Sequence, residues 1–452
     1  MNSHVTVSTE CPSCGAPLDF REGSNALQCA HCQSNLLVTG CAQILSYAVP
    51  ARLTAQGAVA VTLDAYTQKG ISWRIVQPQL YFLPYYRLTG HDFLWEWVSS
   101  LGEARDPLQG SSEESRFREW ERQRSFSSAD GEIQFRDRYI EKNFAACDLQ
   151  GAGVYSLGVR PSVLRLRLFH KETLEADGRI VAATISPEVA LIQGLKTELS
   201  NVLYRQVLNR MLSVIYFPFW VVEGERRGSQ CLTIVDGVAS TVATLDAVPA
   251  LYTALQRPLA VNPQVIGFRP LLCPNCGWDL PVKPDNVIFC CSSCNRAWQI
   301  AGQELFEVPY QIAEKPRGDL QDPVQYLPFW VLRTNTSKLG VQRFFIPAFR
   351  YRRLKFLGDI AMKLLRQQPA YAVTHDATPN LHGCCYDQED AMRLAQFISA
   401  GSRAQNPQEL RAMQNEQIPI STATLTWFPF QDQGYSLVEP LTQTSIPRQL
   451  LL

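Results

Sequence analysis

The sequence has no apolar run near the ~20 residues that a membrane-spanning helix needs. Its longest strongly apolar stretch, Val214 to Val222, is interrupted by Pro218 and has the length of a strand. Met1 to Glu10 is polar and has neither the basic start nor the apolar centre of a secretory signal. Net charge is also lacking, since 42 Lys and Arg balance 42 Asp and Glu. That excludes a whole-chain electrostatic footprint for nucleic acid or an anionic membrane and leaves only local patches for such a role. Histidine is scarce, six in 452 residues, and no pair has zinc-protease spacing. GxxxxGKS/T, GxGxxG after a strand, GxSxG and HExxH are all missing. No standard catalytic machinery is legible, and the expectation is a protein that is not an enzyme.

What the chain does have is the makeup of a folded globular protein, 46% hydrophobic and 19% charged, long enough for two or more domains. Fourteen cysteines in a chain with no export signal point to metal and a reducing compartment, with the cytoplasm as the expected location. Eight of them form two sets. Cys11 and Cys14 precede Cys29 and Cys32 by a fourteen-residue spacer, and Cys273 and Cys276 precede Cys291 and Cys294 by the same spacer. Adding 262 to any position from Cys11 to Gly40 gives its counterpart, so that Pro12 meets Pro274, Gly15 meets Gly277 and Leu18 meets Leu280. A gapless register of this kind argues for duplication of one unit.

Two residues between cysteines let a tight turn aim both sulfurs at one ion, and a glycine after the second relieves the crowded backbone. Two such turns complete a tetrahedral S₄ site of the kind zinc favours; iron fits the same geometry. A unit this small cannot bury a core of its own, so the metal supplies folding free energy. All four positions are filled by sulfur, which leaves no open position for catalysis. The CPSCG and CPNCG knuckles, each with a second CxxC, resemble the rubredoxin-like zinc-ribbon superfamily over about 30 residues per copy. The resemblance implies two structural Zn²⁺ ions per chain and a three-stranded ribbon around each, and implies no activity.

A second pattern is an aromatic, any residue, a proline and an aromatic: Phe82 to Tyr86, Tyr216 to Trp220, Tyr326 to Trp330 and Trp427 to Phe430, with a weaker copy at Phe345 to Phe349. Proline cannot donate to a strand ladder, so each of these strands is expected at a sheet edge or with a bulge. Their aromatics are expected in hairpin cores rather than as ligand platforms. Ser186-Pro187 starts a helix expected to run to about Leu212, and further helices are expected over Leu354–Arg366 and Asp387–Ile398. The expected architecture is α+β, two rubredoxin-like zinc ribbons each followed by an antiparallel sheet with covering helices. The divisions are ribbon 1–42, an α+β domain 43–252, a linker 253–268, ribbon 269–304 and a second α+β domain 305–452. Gly102 to Gly131 is polar and reads as a mobile insertion or an exposed helix that Trp120 and Phe126 dock.

Arg343, Arg350, Arg352, Arg353 and Lys355, interleaved with aromatics, form the best candidate for an anionic partner. His375, His382, Cys384 and Cys385 gather soft ligands without usable spacing and read as ordinary loop or core residues, as do the lone Cys41, Cys147 and Cys231. Cys290 and His31 fall outside the ligand register. The leading functional expectation is a non-enzymatic scaffold or assembly module that binds a protein or itself. The alternatives are a nucleic-acid-binding protein using residues 343–366 and peripheral membrane association through exposed aromatics.

Overall fold

The computed structural model describes residues 5–39, 44–99, 131–148, 154, 165–196, 201–226, 229–247, 255, 266–283, 285–301, 304–315, 323–336, 340–351, 355–374 and 381–451. It is mixed α+β and richer in strand than in helix. Strands β1 (Thr6–Glu10), β2 (Pro17–Arg21), β3 (Ala26–Gln28) and β4 (Asn35–Thr39) frame the first cysteine set as two antiparallel pairs. The first large sheet follows: β5 (Leu45–Ala48), β6 (Arg74–Ser99), β7 (Gly131–Ala145), β8 (Arg165–Leu168), β9 (Arg179–Ile180), β10 (Val202–Arg226), β11 (Ser229–Asp236) and β12 (Val242–Ala247). Because β8 lies parallel to β1, the first cysteine unit is built into this sheet. The second cysteine unit contains β13 (Gly267–Pro270), β14 (Ile288–Cys291), β15 (Arg296–Ala301) and β16 (Glu304–Val308). The second large sheet holds β17 (Tyr310–Ala313), β18 (Val324–Thr336), β19 (Gly340–Pro347), β20 (Val373–Thr374), β21 (Ile420–Asp432), β22 (Ser436–Glu439) and β23 (Thr444–Pro447).

Four of the aromatic–proline segments run through the middle of these sheets, with no register shift at their prolines between β6 and β10 or β18 and β21, contrary to the expectation of an edge or a bulge. β6 pairs with β10, where Tyr216 faces Pro84 and Pro218 faces Phe82. β18 pairs with β21, where Tyr326 faces Pro429 and Pro328 faces Trp427. Each proline stands where its strand changes its other neighbour. On β10 the parallel β5 covers Ser213 to Tyr216, and antiparallel β11 takes over at Phe219. On β6, β9 covers Tyr81 and Phe82, and β7 begins at Tyr85. On β21, β17 covers Leu425 to Trp427, and β22 takes Gln431 and Asp432. On β18, Leu381 bridges Tyr326 in the parallel sense and β19 begins at Phe329. At a gap between neighbours a missing N–H loses no bond. The carbonyls stay in use, with Pro84, Pro218 and Pro328 accepting from the N–H of Ala146, Gly237 and Ala348 at 2.9 Å each. The fifth proline, Pro347, ends β19. The aromatics of these segments are core residues: Phe82, Tyr85, Phe217, Trp330 and Trp427 are all buried.

Ser186 caps the helix Pro187–Leu195, its side chain accepting from Val189 N, but Val202 to Leu212 is strand rather than helix. Leucines at helical spacing sit here on a segment rich in β-branched and aromatic residues. Pairing with the 26-residue β6 decides the outcome. Helices Lys355–Gln367 and Gln388–Arg403 lie close to their expected positions, and Asp387 caps the second by accepting from Asp390 N at 2.8 Å. Of the polar insertion only Gly131, at the start of β7, is described, so Trp120 and Phe126 lie outside the described residues. Of the linker only Leu255 and 266–268 are described, and Gly267 and Phe268 already belong to β13.

One core spans both halves of the chain. Phe93, Trp95, Leu203, Tyr204 and Leu208 from the first sheet share it with Trp330, Phe345, Phe397 and Trp427. Phe397 stacks on Trp95 at 5.4 Å, and the Trp95 indole donates to the Phe397 carbonyl at 3.0 Å. At the same junction Asp390 accepts from Asn209 N at 3.0 Å. Burial, then the charge of Asp387, pushes the Asp390 carboxyl up to about 6, although the Asn209 N–H, Arg393 and Arg210 pull it down.

The folded state therefore holds this proton more tightly than the unfolded chain, whose aspartates titrate near ~3.9. The resulting stabilisation is fully present below ~4 and is lost as pH rises through about 6. Asp390→Asn keeps an oxygen for Asn209 and has no charge to bury. It is expected to gain on the order of 2 kcal/mol over wild type between pH 5 and pH 8, read as a difference in denaturant midpoint that widens with pH.

Candidate metal centres

In the first unit the Sγ atoms of Cys11 and Cys32 lie 3.8 Å apart and those of Cys14 and Cys29 lie 3.9 Å apart. In the second, Cys273 and Cys294 are 3.6 Å apart, and Cys276 and Cys291 are 3.5 Å apart. Within each unit all four donor atoms fall within 4.8 Å of one another. A tetrahedral ion with metal–sulfur bonds of ~2.3 Å sets its sulfurs ~3.8 Å apart, so both clusters have the size of an S₄ site. Among the described residues these two sets are the groups of three or more potential ligands that converge.

The local backbone explains the convergence. Cys11 N donates to Ala16 O and Gly15 N to Cys11 O, both at 2.8 Å; Cys273 N to Trp278 O and Gly277 N to Cys273 O repeat this at 2.8 Å. The turn requires positive φ at its glycine, 71° at Gly15 and 73° at Gly277. The second knuckles match as well, with Gln33 N bonding Cys29 O and Asn295 N bonding Cys291 O, at φ of 61° and 54°. Pairing of β3 with β4 and of β14 with β15 keeps the 262-residue offset: Ala26 faces Leu37, and Ile288 faces Gln299. In each set the first and third cysteines are buried and the second is exposed.

The remaining candidates are placed as follows. Arg343 donates to the Gln368 carbonyl at 2.9 Å and lies 5.4 Å over the Phe345 ring. Arg350, only 12% exposed, pairs with Asp285 of the second cysteine unit. Lys355 opens its helix; its side chain, Arg352 and Arg353 lie outside the described residues, as do His375 and Cys41. Cys384 and Cys385 point to different partners, the Tyr386 carbonyl and Asn286 Oδ1. Burial pushes the Cys385 thiol up to about 11 and the Cys290 thiol up to about 12, which keeps both protonated. Burial also lowers His382, whose Nδ1 faces the Gly383 carbonyl at 3.2 Å. Cys147 is buried, and Cys231 accepts from the Trp73 indole at 2.6 Å.

The sequence reading missed the turn between the two knuckles of each unit. In the first, buried Glu22 accepts from Arg87 Nε at 2.7 Å, on β6. In the second, Asp285 takes Arg350, Lys283 donates to Leu381 O at 3.0 Å and Val287 N to Cys384 O at 2.9 Å. Each turn thereby fastens its unit to its own sheet. The signal available was an acidic residue in the same turn of both copies, next to or at a position of positive φ (79° at Gly23, 66° at Asp285). These turns meet at a small polar cavity of about 70 Å³, bordered by Glu22, His91, Tyr139, Asp285, Arg350 and Tyr386. The His91 ring meets the Tyr386 hydroxyl there at 2.9 Å.

A Cβ at Gly15, Gly277 or Gly434 meets nothing within 4 Å, so substitution there adds backbone strain alone. Gly15→Ala and Gly277→Ala should each weaken metal retention at their own centre by on the order of tenfold, the equivalent of ~1–2 kcal/mol, in competition with a chelator. Gly434→Ala carries the same strain in the turn between β21 and β22, outside both cysteine units, and should leave retention unchanged. No family model, curated protein or solved structure matches the chain. The donor sets and their geometry therefore carry the functional inference.

Proposed function

We propose that the chain is a non-enzymatic scaffold built on two structural zinc ions, which serves by presenting rigid surfaces to a protein partner or to a second copy of itself. The observation that carries this is the donor geometry: two S₄ clusters of tetrahedral size, each with every position filled by sulfur. Such a site has no vacancy for a substrate or an activated water, so its metal holds structure rather than performing chemistry. Zinc is favoured over iron because the units are too small to fold without a firmly held, redox-silent ion. Paired free thiols belong in a reducing compartment, and this favours a cytoplasmic setting.

Duplication of one zinc-ribbon-plus-sheet unit is the economical origin of the plan. Beyond the cysteine units the 262-residue register lapses, but the two sheets share a topology. β5 and β17 leave their cysteine units to lie parallel on β10 and β21, and β6 and β18 each turn back into the antiparallel β7 and β19. The second cysteine unit also carries exposed apolar side chains, Trp278 at 64%, Phe306 at 52% and Leu272 at 42%, of the type that protein contacts cover. The nucleic-acid alternative has three of the seven cations of residues 343–366 engaged by the fold, Arg343 with Gln368, Arg350 with Asp285 and Lys363 with the Gln443 carbonyl.

Native mass spectrometry with elemental analysis tests the reading. Two zinc ions per chain are expected, falling to one in Cys14→Ser or Cys276→Ser, with a defined oligomer or protein companion. A metal-free folded chain, or nucleic acid that co-purifies and leaves with salt, would overturn it.

A further inference from the structure

We propose that the two Cys₄ centres are coupled sites, with metal at one raising the affinity of the other through strand β13 and the core it shares with β4. This rests on the metal reading above and adds a relation between the centres that the reading does not require.

The units are not separate beads. β13 ends three residues before the ligand Cys273, yet it pairs with β4 of the first unit, Gly267 facing Thr39 and Pro270 facing Leu36. β4 in turn begins three residues after the ligand Cys32. Leu271 N continues the ladder to Asn35 O at 2.9 Å. The Asn35 side chain joins both units, its Nδ2 donating to Leu280 O at 2.9 Å while its Oδ1 accepts from Gln28 Nε2 at 3.0 Å, beside ligand Cys29. Ligands Cys273 and Cys291 share one apolar cluster with Ala26 and Leu37 of the first unit. Phe268 on β13 meets Phe20 on β2 edge-on at 5.7 Å, extending the contact to the core of the first sheet.

Consider the second centre without its ion. The knuckle at Cys273 loses its anchor, and with it goes the strand whose register that knuckle fixes. β4 then presents an open edge, and Ala26 and Leu37 lose their cover, at the two strands that position Cys29 and Cys32. A strand that is either paired or released is a two-state element, and both ions bias it toward the paired state. Linkage makes the effect reciprocal, since whatever factor the second ion adds to the affinity of the first, the first adds to the second.

The test is Zn²⁺ competition against a chromophoric chelator on the full-length chain. Cys276→Ser should lower the Zn²⁺ affinity of the first centre, and Cys14→Ser that of the second, by a common factor on the order of fivefold or more. Asn35→Ala keeps all eight ligands and should bind two ions with that factor reduced. If Cys276→Ser does not fold, Asn35→Ala decides alone: one-step release of both ions from wild type and two-step release from the variant support coupling. Independent release from wild type, or a first centre indifferent to Cys276→Ser, overturns the coupling and leaves the metal reading standing. A chain that takes up no Zn²⁺ overturns both.

Discussion

The two large sheets depend on one arrangement, the reciprocal crossing of two aromatic–x–proline segments at the centre of each. In an ordinary antiparallel pair each strand offers a continuous row of donors and acceptors to its next neighbour. A proline removes one donor from that row, so a neighbour on the side that the N–H would face cannot run past it without losing a bond, whereas the partner on the other side can. Here β5 and β11 meet at Pro218, and β9 and β7 meet at Pro84. The interruption lets the pairing sense change from parallel to antiparallel along one side of a strand. The crossing then becomes a junction from which four neighbours extend. Aromatic packing fills it: Phe217 lies 5.3 Å from Phe219 in the first sheet, and Phe329 lies 5.4 Å from Phe428 in the second.

A junction of this kind leaves the question of how the small cysteine units are held against it. Hydrophobic burial does part of the work in the first, where Cys11 and Cys29 lie in the same core as Tyr85 and Phe217. Charge does the rest. Glu22 and Arg87 are each about 2% exposed at the side chain, and Asp285 of the second unit takes Arg350, just beyond the end of β19. Buried pairs contribute little net stability over well-packed apolar residues, but losing one partner costs about 3–5 kcal/mol because the other charge is stranded. Their effect is to fix orientation. A unit displaced from its sheet would leave a carboxylate or a guanidinium without its counterion. The triad of buried Asp92 with Arg205 and Arg138, at 2.6 and 2.9 Å, likewise ties β6 to β10 and β7.

What could be read from the sequence followed the range of the forces involved. Cysteine spacing is local, because two sulfurs reach one ion only across a tight turn, and both four-cysteine sets were legible to the residue. Helix ends were legible where caps define them, at Ser186 and Asp387. Sheet order was not, since it depends on which distant strand arrives. Proline's missing donor was read correctly, but the inference to an edge or a bulge failed because a strand can be central and still have a gap on one side. Val202 to Leu212 failed for a related reason: leucines three and four apart also occur in a strand, and only the partner β6 distinguishes the two. The basic stretch from Arg343 read as a surface because composition cannot register that Asp285 and Gln368 wait for Arg350 and Arg343 inside the fold.

The same contrast bears on why a chain would keep two four-cysteine units, each able to hold a metal ion, beside a larger core. The apolar core that runs from Phe93 and Trp95 to Trp427 already joins the halves. Of the two cysteine units only the second reaches this core, with Ile288 and Ala297 as its buried members. With an ion bound, each would add a rigid edge at a known place, because four metal–sulfur bonds tolerate far less motion than a hairpin of equal length. The first unit spends its rigidity inward, with its strand β1 stitched to β8 and its β4 covered by β13. The second carries Trp278 and Phe306 outward on a knuckle and strand held just as firmly. A side chain presented from a rigid frame loses less conformational freedom on contact than one on a loop, and that is the physical requirement for a docking point.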